Sequence, residues 1–174
     1  MDDTSELIVK AKKGDKNALV KLVMEKKDEY YKLAYIYLNN QEDALDALGD
    51  MILILHQNIK RLKKPESFYS WSKTILVNCC RKLIRKQKKV IFLDRLPEIP
   101  YNEKFSLKDE QVDLGKHLTL LNLHQQEAIK LKYFLDMDYE QIAELTQVPV
   151  GTVKSRVFNG LKKLKESLGG DYFD

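Results

Sequence analysis

An all-helical fold of two small domains joined by a flexible linker is what this sequence predicts, and three observations carry the expectation. Apolar residues recur at intervals of three and four from Ser5 almost to the C-terminus, with no convincing strand. The pattern lapses from Val90 to about Lys108, where Pro97 and Pro100 fall among scattered charges. The last third closes on a helix, a tight turn and a second helix. With 174 residues, 44% of them apolar, there is material for a core on each side of the linker. The expected division is a first domain over 1–88, a linker over 89–108 and a second domain over 109–174.

Each element follows from local signals. Ser5 to Lys13 reads as a short helix ended by Gly14-Asp15, and Lys16 to Leu38 as one long helix with Leu19, Leu22, Val23, Tyr30, Leu33, Ala34 and Ile36 on its apolar side. Asn39-Asn40 breaks it. Glu42 to Gln57 follows, with Leu45, Leu48, Ile52 and Leu55 as its core stripe. Pro65-Glu66-Ser67 introduces a helix from Phe68 to about Lys88, with Ser67 as N-cap and Phe68, Trp71, Ile75, Cys79 and Leu83 turned inward. Within the linker Ile91, Phe92 and Leu93 are apolar enough to dock. Asp109 to Leu121 and Leu123 to Leu135 then lead into the helix pair.

Composition removes several function classes. No apolar run approaches the roughly 18 residues that span a bilayer, and MDDTSELIVKAKK has neither the apolar core nor the cleavage site of a signal peptide, so a cytoplasmic protein without membrane insertion is expected. Adjacent Cys79 and Cys80 offer no disulfide framework, and His56, His117 and His124 are scattered, so no metal or cofactor is expected. A nucleic-acid-processing enzyme fails for want of a nucleophile–base pair, a phosphate-binding glycine loop or a metal cluster.

The net charge of +4 hides an uneven distribution. Residues 60–89 hold 11 Lys/Arg against 1 Asp/Glu, a density whose self-repulsion favours a polyanionic partner over a merely solvated face. The helix pair DYEQIAELTQVPVGTVKSRVFNGLKKLK is a second candidate. Tyr139, Ile142, Ala143 and Leu145 recur in its first helix, Pro149 and Gly151 punctuate the turn, and Val153, Val157, Leu161 and Leu164 form the inner stripe of the second. Thr152, Ser155, Arg156, Asn159 and Lys163 then lie on the outer face with Lys154 and Phe158 at its flanks. Any surface helix is polar outside. The turn chemistry favours a helix-turn-helix reading base edges and phosphates in a major groove.

Two further faces stand out. Asp43, Asp46 and Asp50 line up at i, i+3 and i+7 of the third helix, bordered by Ala47, Met51 and Ile54. A solvated acidic face needs no partner, but the apolar border fits docking of a basic protein surface. In the fourth helix Thr74, Asn78, Arg81 and Arg85 form a polar stripe beside Lys82 and Lys86, preceded by the basic loop Asn58 to Lys64 and the aromatics Phe68 and Tyr69. Cations beside aromatic and amide side chains suit single-stranded DNA, whose unstacked bases can be pocketed.

The order of these parts, from about Glu6 to Leu168, resembles an extracytoplasmic-function sigma factor of bacterial RNA polymerase, a member of the sigma-70 family. The stretches that carry the resemblance are EDALDALGDMILILHQNI, PESFYSWSKTILVNCCRKLIRKQKK, the proline-bearing linker and YEQIAELTQVPVGTVKSRVFNGLKKL. The resemblance implies an alternative sigma factor without catalysis of its own, whose first domain docks on the polymerase clamp helices and opens the minus-ten element as single strand. Its second domain would read the minus-thirty-five element as duplex, and a membrane-anchored anti-sigma factor would hold the protein inactive.

By the same resemblance Asp43, Asp46, Asp50 and Met51 meet the clamp. The loop with Asn58, Lys60, Arg61, Lys63 and Lys64 pockets a flipped base, and Asn78, Arg81 and Arg85 read the minus-ten strand. Lys154, Ser155, Arg156, Phe158 and Asn159 stand at the minus-thirty-five-reading positions, with Lys162 and Lys163 left for phosphates. Gly49 departs from the family pattern, which carries glutamine there; this removes one polar clamp contact and loosens the helix by up to about 1 kcal/mol. Asn159 stands where a basic residue is common. The remaining alternative is a helix-turn-helix repressor or activator that never binds polymerase; such a protein has no use for the acidic ridge or the basic single-strand face.

Overall fold

The computed structural model describes residues 3–93 and 117–168, the side chains of 88–93 excepted. The chain divides into two units, the first ending at Asp94. All regular structure among the described residues is helical, with no strand.

The first unit comprises α1 (Asp3–Lys12), α2 (Lys16–Glu25), α3 (Lys27–Leu38), α4 (Gln41–Asn58) and α5 (Phe68–Leu93), with single 3-10 turns at Ile59–Arg61 and Pro65–Ser67. Gly14 takes φ 101°, a left-handed conformation that glycine adopts without strain, and Asp15 then caps α2 by accepting from the Asn17 and Ala18 N–H groups. Asn39, at φ 50°, closes α3, and Asn40 opens α4 by accepting from the Asp43 N–H.

The long helix expected over Lys16 to Leu38 is in fact two, broken at Lys26. No glycine or proline marks the break. It is held from α5: Tyr69 donates its hydroxyl to Glu25 at 2.6 Å, and Glu29 receives both Lys26 and Lys73, which holds its carboxyl below the usual range. The break lets α2 pack on α1 while α3 packs on α4 and α5.

The core of this unit gathers Ile8, Leu22, Tyr30, Met51, Leu55, Phe68, Leu76 and Val77, all fully buried. Burial of each such side chain contributes about 1.5–3 kcal/mol. Within it Ser72 donates to the Tyr69 carbonyl, so the Tyr30 hydroxyl donates to Ser72 at 2.7 Å. Cys79 and Cys80 are buried thiols, the latter pushed up to about 12 by burial. Ser67 does not act as an accepting N-cap; its hydroxyl donates to the Lys64 carbonyl. The helix also continues to Leu93, past the expected end near Lys88. The linker residues 94–108, the helical reading of 109–116 and the docking of Ile91, Phe92 and Leu93 lie outside what is described.

The second unit comprises α6 (Leu123–Tyr133), α7 (Tyr139–Thr146) and α8 (Val150–Ser167). Capping boxes open α6 and α7: Asn122 with Gln125, and Asp138 with Gln141, exchange side-chain and backbone hydrogen bonds. Leu118, Leu121, Ile129 and Leu164 form a core cluster, with Leu161 packed against it.

Candidate polymerase and nucleic-acid interfaces

The acidic ridge of α4 is present, but its border differs from the expectation. Ala44, Ala47, Met51 and Leu55 form the buried face, while Leu45 and Leu53 are 53% and 62% exposed. The inner face is therefore turned by close to one residue from the Leu45–Leu48–Ile52–Leu55 stripe, of which Leu48 and Ile52 are half-buried flanks. Small alanines let α4 approach α3 and α5 closely, and that close contact outweighs the greater transfer energy of leucines left outside. Met51, expected at the docking surface, is a core residue, and Ile54 is half-buried.

Asp43 is half-buried and accepts from Gln87 of α5 at 2.8 Å. The exposed face is thus Leu45, Asp46, Gly49, Asp50 and Leu53, carboxylates interleaved with apolar groups. The exposure of Leu45 and Leu53 escaped sequence reasoning; the run of alanines at 44 and 47, in step with Met51 and Leu55, was the available signal.

In the same unit, Lys60, Arg61, Lys63 and Lys64 are exposed in the loop between α4 and α5, anchored by buried Ile59 and Leu62. Asn58 is partly spent on its own helix, donating to the Ile54 carbonyl at 2.9 Å. Along α5, Asn78 and Arg85 are exposed and Arg81 half-buried, with Lys82 and Lys86 exposed beside them. The structure brings this stripe to one helix face. Trp71 and Ile75, expected inside, are half-exposed and stand at i, i+4 on the side of α5 that carries Asn78 and Lys82. Buried Ser72, bonded to Tyr30, takes the inward place assigned to Trp71. An aromatic ring therefore borders the basic stripe, the combination that stacks and neutralises a single strand.

In the second unit the turn between α7 and α8 is built from three residues. Gln147 takes φ 56° and ends α7 with its N–H on the Ala143 carbonyl, Val148 donates to the same carbonyl, and the Pro149 carbonyl accepts from Thr152 and Val153. Ile142, Ala143, Leu145 and Thr146 of α7 are buried, as are Val153, Val157, Gly160 and Leu164 of α8. Gly160 occupies the inner position expected of Leu161, which is half-buried.

Outward stand Lys154, Ser155, Asn159, Lys162 and Lys163, with Phe158 69% exposed; Thr152 and Arg156 are half-buried at the edge of that face. A solvent-facing phenylalanine among hydrogen-bonding groups offers an apolar contact for a thymine methyl. Tyr139, expected in the apolar stripe of α7, is half-buried instead.

Two helical units, the second presenting a helix-turn-helix with a polar, cationic outer face, define a DNA-binding transcription protein. Comparison with known proteins names the class. The family described as Sigma-70 region 2 matches residues 22–90, and Sigma-70, region 4 matches residues 114–164. The RNA polymerase sigma factor SigV of Bacillus subtilis (strain 168) is 32% identical over 162 residues, spanning 92% of this chain and 96% of that protein. The ECF RNA polymerase sigma factor SigW of the same organism is 30% identical over 178 residues, spanning 92% and 94%.

The chain belongs to the extracytoplasmic-function sigma factors, the alternative sigma subunits of bacterial RNA polymerase. Among solved structures, CnrH in complex with the cytosolic domain of CnrY matches at a TM-score of 0.67 with 20% identity, covering 98% of this chain and 99% of that one, a likeness of fold. The sigma factor RpoE of Bartonella quintana, solved with the anti-sigma factor NepR, matches at 0.65 with 22% identity, covering 87% and 96%. Among the described residues no helix is long and apolar enough to cross a membrane, and no His/Cys/Asp/Glu group could hold a metal ion.

Proposed function

We propose that this sigma factor docks on core polymerase through the Leu45–Asp46–Asp50–Leu53 face of α4, captures the minus-ten strand with the Lys60–Lys64 loop and the Asn78, Arg81 and Arg85 stripe of α5, and reads the minus-thirty-five duplex with α8. The observation that carries the reading is the pairing, within one unit, of an exposed acidic-apolar face and a basic face bordered by Trp71. A protein that bound duplex alone would need neither. Opening promoter DNA costs about 1.4 kcal/mol per base-pair step in lost stacking, which contacts to the separated bases and phosphates must offset.

An anti-sigma factor is the proposed regulator, on the ground that the Bartonella quintana RpoE neighbour was solved with one. The exposed Leu45 and Leu53 give such a partner apolar surface to cover, in competition with polymerase.

The test mixes the full chain with core polymerase freed of sigma subunits and maps transcription starts on genomic DNA. New starts sharing an upstream and a minus-ten element are expected. Starts no different from those of core alone overturn the reading.

A further inference from the structure

We propose that a second copy of this chain covers the outer face of α4, seating there its own α2 through a basic and apolar stripe that complements the acidic and apolar one. On α4, Leu45, Gly49 and Leu53 stand at i, i+4 and i+8, with Asp46 and Asp50 in the adjoining row. On α2, Lys16, Val20 and Met24 hold the same three places, with Lys21 in the adjoining row. All of these residues are exposed, Val20 and Met24 by 50% and 54%. The two stripes carry opposite charge on one pattern.

Rows of side chains spaced by four residues interdigitate when helices pack. The α4 row has a gap at its centre, where a Cβ on Gly49 would meet nothing within 4 Å, and Val20 is the side chain at the centre of the α2 row. An antiparallel crossing with Val20 in that gap lays Met24 on Leu45 and the Lys16 stem on Leu53, and sets Lys21 on the side of Asp46 and Asp50. Among the described residues Lys16, Lys21, Asp46 and Asp50 form no ion pair. The carboxylates flanking the α2 stripe are spent within their own unit: Asp15 accepts from the Asn17 and Ala18 N–H groups, and Glu25 from the Tyr69 hydroxyl. So few side chains make a small, salt-sensitive contact that forms at concentrations on the order of 100 µM. It shields Leu45 and Leu53 in copies that hold no other partner, and its exclusion of core polymerase rests on the docking face proposed for α4.

The test is sedimentation equilibrium of the full chain at rising concentration, in low and in high salt. The weight-average mass should climb above that of the monomer and fall back as salt is added. Lys16→Glu with Lys21→Glu, and separately Asp46→Lys with Asp50→Lys, should each weaken self-association at least about tenfold. An equimolar mixture of these two variants should regain it, since each supplies the face that complements the other's. Gly49→Gln, which fills the gap, should also weaken it about tenfold. Circular dichroism melting of each variant separates these effects from loss of fold. A natural chain that stays monomeric at every concentration, or variants that stay apart when mixed, overturns the pairing and leaves the α2 stripe to an acidic surface of another protein. Core polymerase tests the underlying reading separately: it should bind the Lys16→Glu, Lys21→Glu chain at least as tightly as the natural one. Failure of polymerase to bind either chain sinks the docking face of α4, whereas the mixing result decides the self-contact.

Discussion

The Cδ1 methyl of Ile129 stands 2.6 Å from where a Cβ on Gly160 would lie, and Cβ of Gln125 stands at 3.4 Å. The recognition helix α8 is thus seated directly on α6, and the absence of a side chain at 160 sets their distance. Alanine there gains up to about 1 kcal/mol of helix propensity but overpacks a filled core, which costs about 1–3 kcal/mol. Gly160→Ala should lower the melting temperature by several degrees, and Ile129→Val in the same chain, which removes the clashing methyl, should recover most of the loss. A higher melting temperature for Gly160→Ala alone would mean that Ile129 turns aside without cost.

Neighbouring positions on α4 should behave in opposite ways. Met51→Lys places a charge in the core and should unfold the first unit, a loss of several kcal/mol. Leu53→Lys should leave stability within about 0.5 kcal/mol yet weaken association with core polymerase at least about tenfold, as should Asp46→Lys with Asp50→Lys. A Cβ on Gly49 meets nothing within 4 Å, so Gly49→Gln should stabilise the helix by about 0.5–1 kcal/mol and tighten polymerase binding. Thermal melts and titration of labelled core polymerase check all four. Natural affinity in Leu53→Lys would remove the outer face of α4 from the docking surface.

On α8 the roles of base reader and phosphate anchor can be separated. Arg156→Ala should flatten preference at one or two positions of the upstream element, a loss of about 1–3 kcal/mol of discrimination, and Ser155→Ala should do so more weakly. Lys163→Ala should weaken all sequences equally and reduce the salt slope by about one unit. Binding to single-base-substituted duplexes at two salt concentrations distinguishes them. A uniform loss in Arg156→Ala reassigns that side chain to phosphate.

Burial pushes the Tyr30 hydroxyl from 10.0 up to about 12. The unfolded chain therefore releases this proton near pH 10 and the folded chain near pH 12. Between those values the unfolded state holds fewer protons, so the contribution is complete below pH 10 and is lost as pH rises to 12, at no more than about 1.4 kcal/mol per pH unit. Tyr30→Phe should cost about 1 kcal/mol at neutral pH through the lost bond to Ser72, which keeps its bond to the Tyr69 carbonyl, and should flatten the alkaline fall. Chemical denaturation between pH 8 and 12 measures this, and an equally steep fall in Tyr30→Phe would assign it to other groups.

What the sequence by itself determined is what depends on neighbours in the chain. Asn39 and Asn40 end one helix and begin the next because the left-handed conformation and the N-cap bond are properties of one or two residues. The helix-turn-helix was legible for the same reason: its caps, its three-residue turn and the period of Val153, Val157 and Leu164 lie within thirty residues. The family resemblance rests on these same local stretches, and the relatives bear it out.

Only the tertiary structure decided which of two apolar faces of α4 goes inside. Both Leu45–Leu48–Ile52–Leu55 and Ala44–Ala47–Met51–Leu55 have helical spacing, and the choice lies in how closely α3 and α5 approach. The break at Lys26 is likewise held by Tyr69 and Lys73 of α5, each 44 residues from its partner, as is Asp43 by Gln87. Tyr139 shows the same limit: its position reads as core by period, yet lysines from two other helices converge on its ring. Periodicity reports that a helix has an inner face. Packing between elements distant in sequence selects that face, because the energy of close contact exists only once the partners are in place.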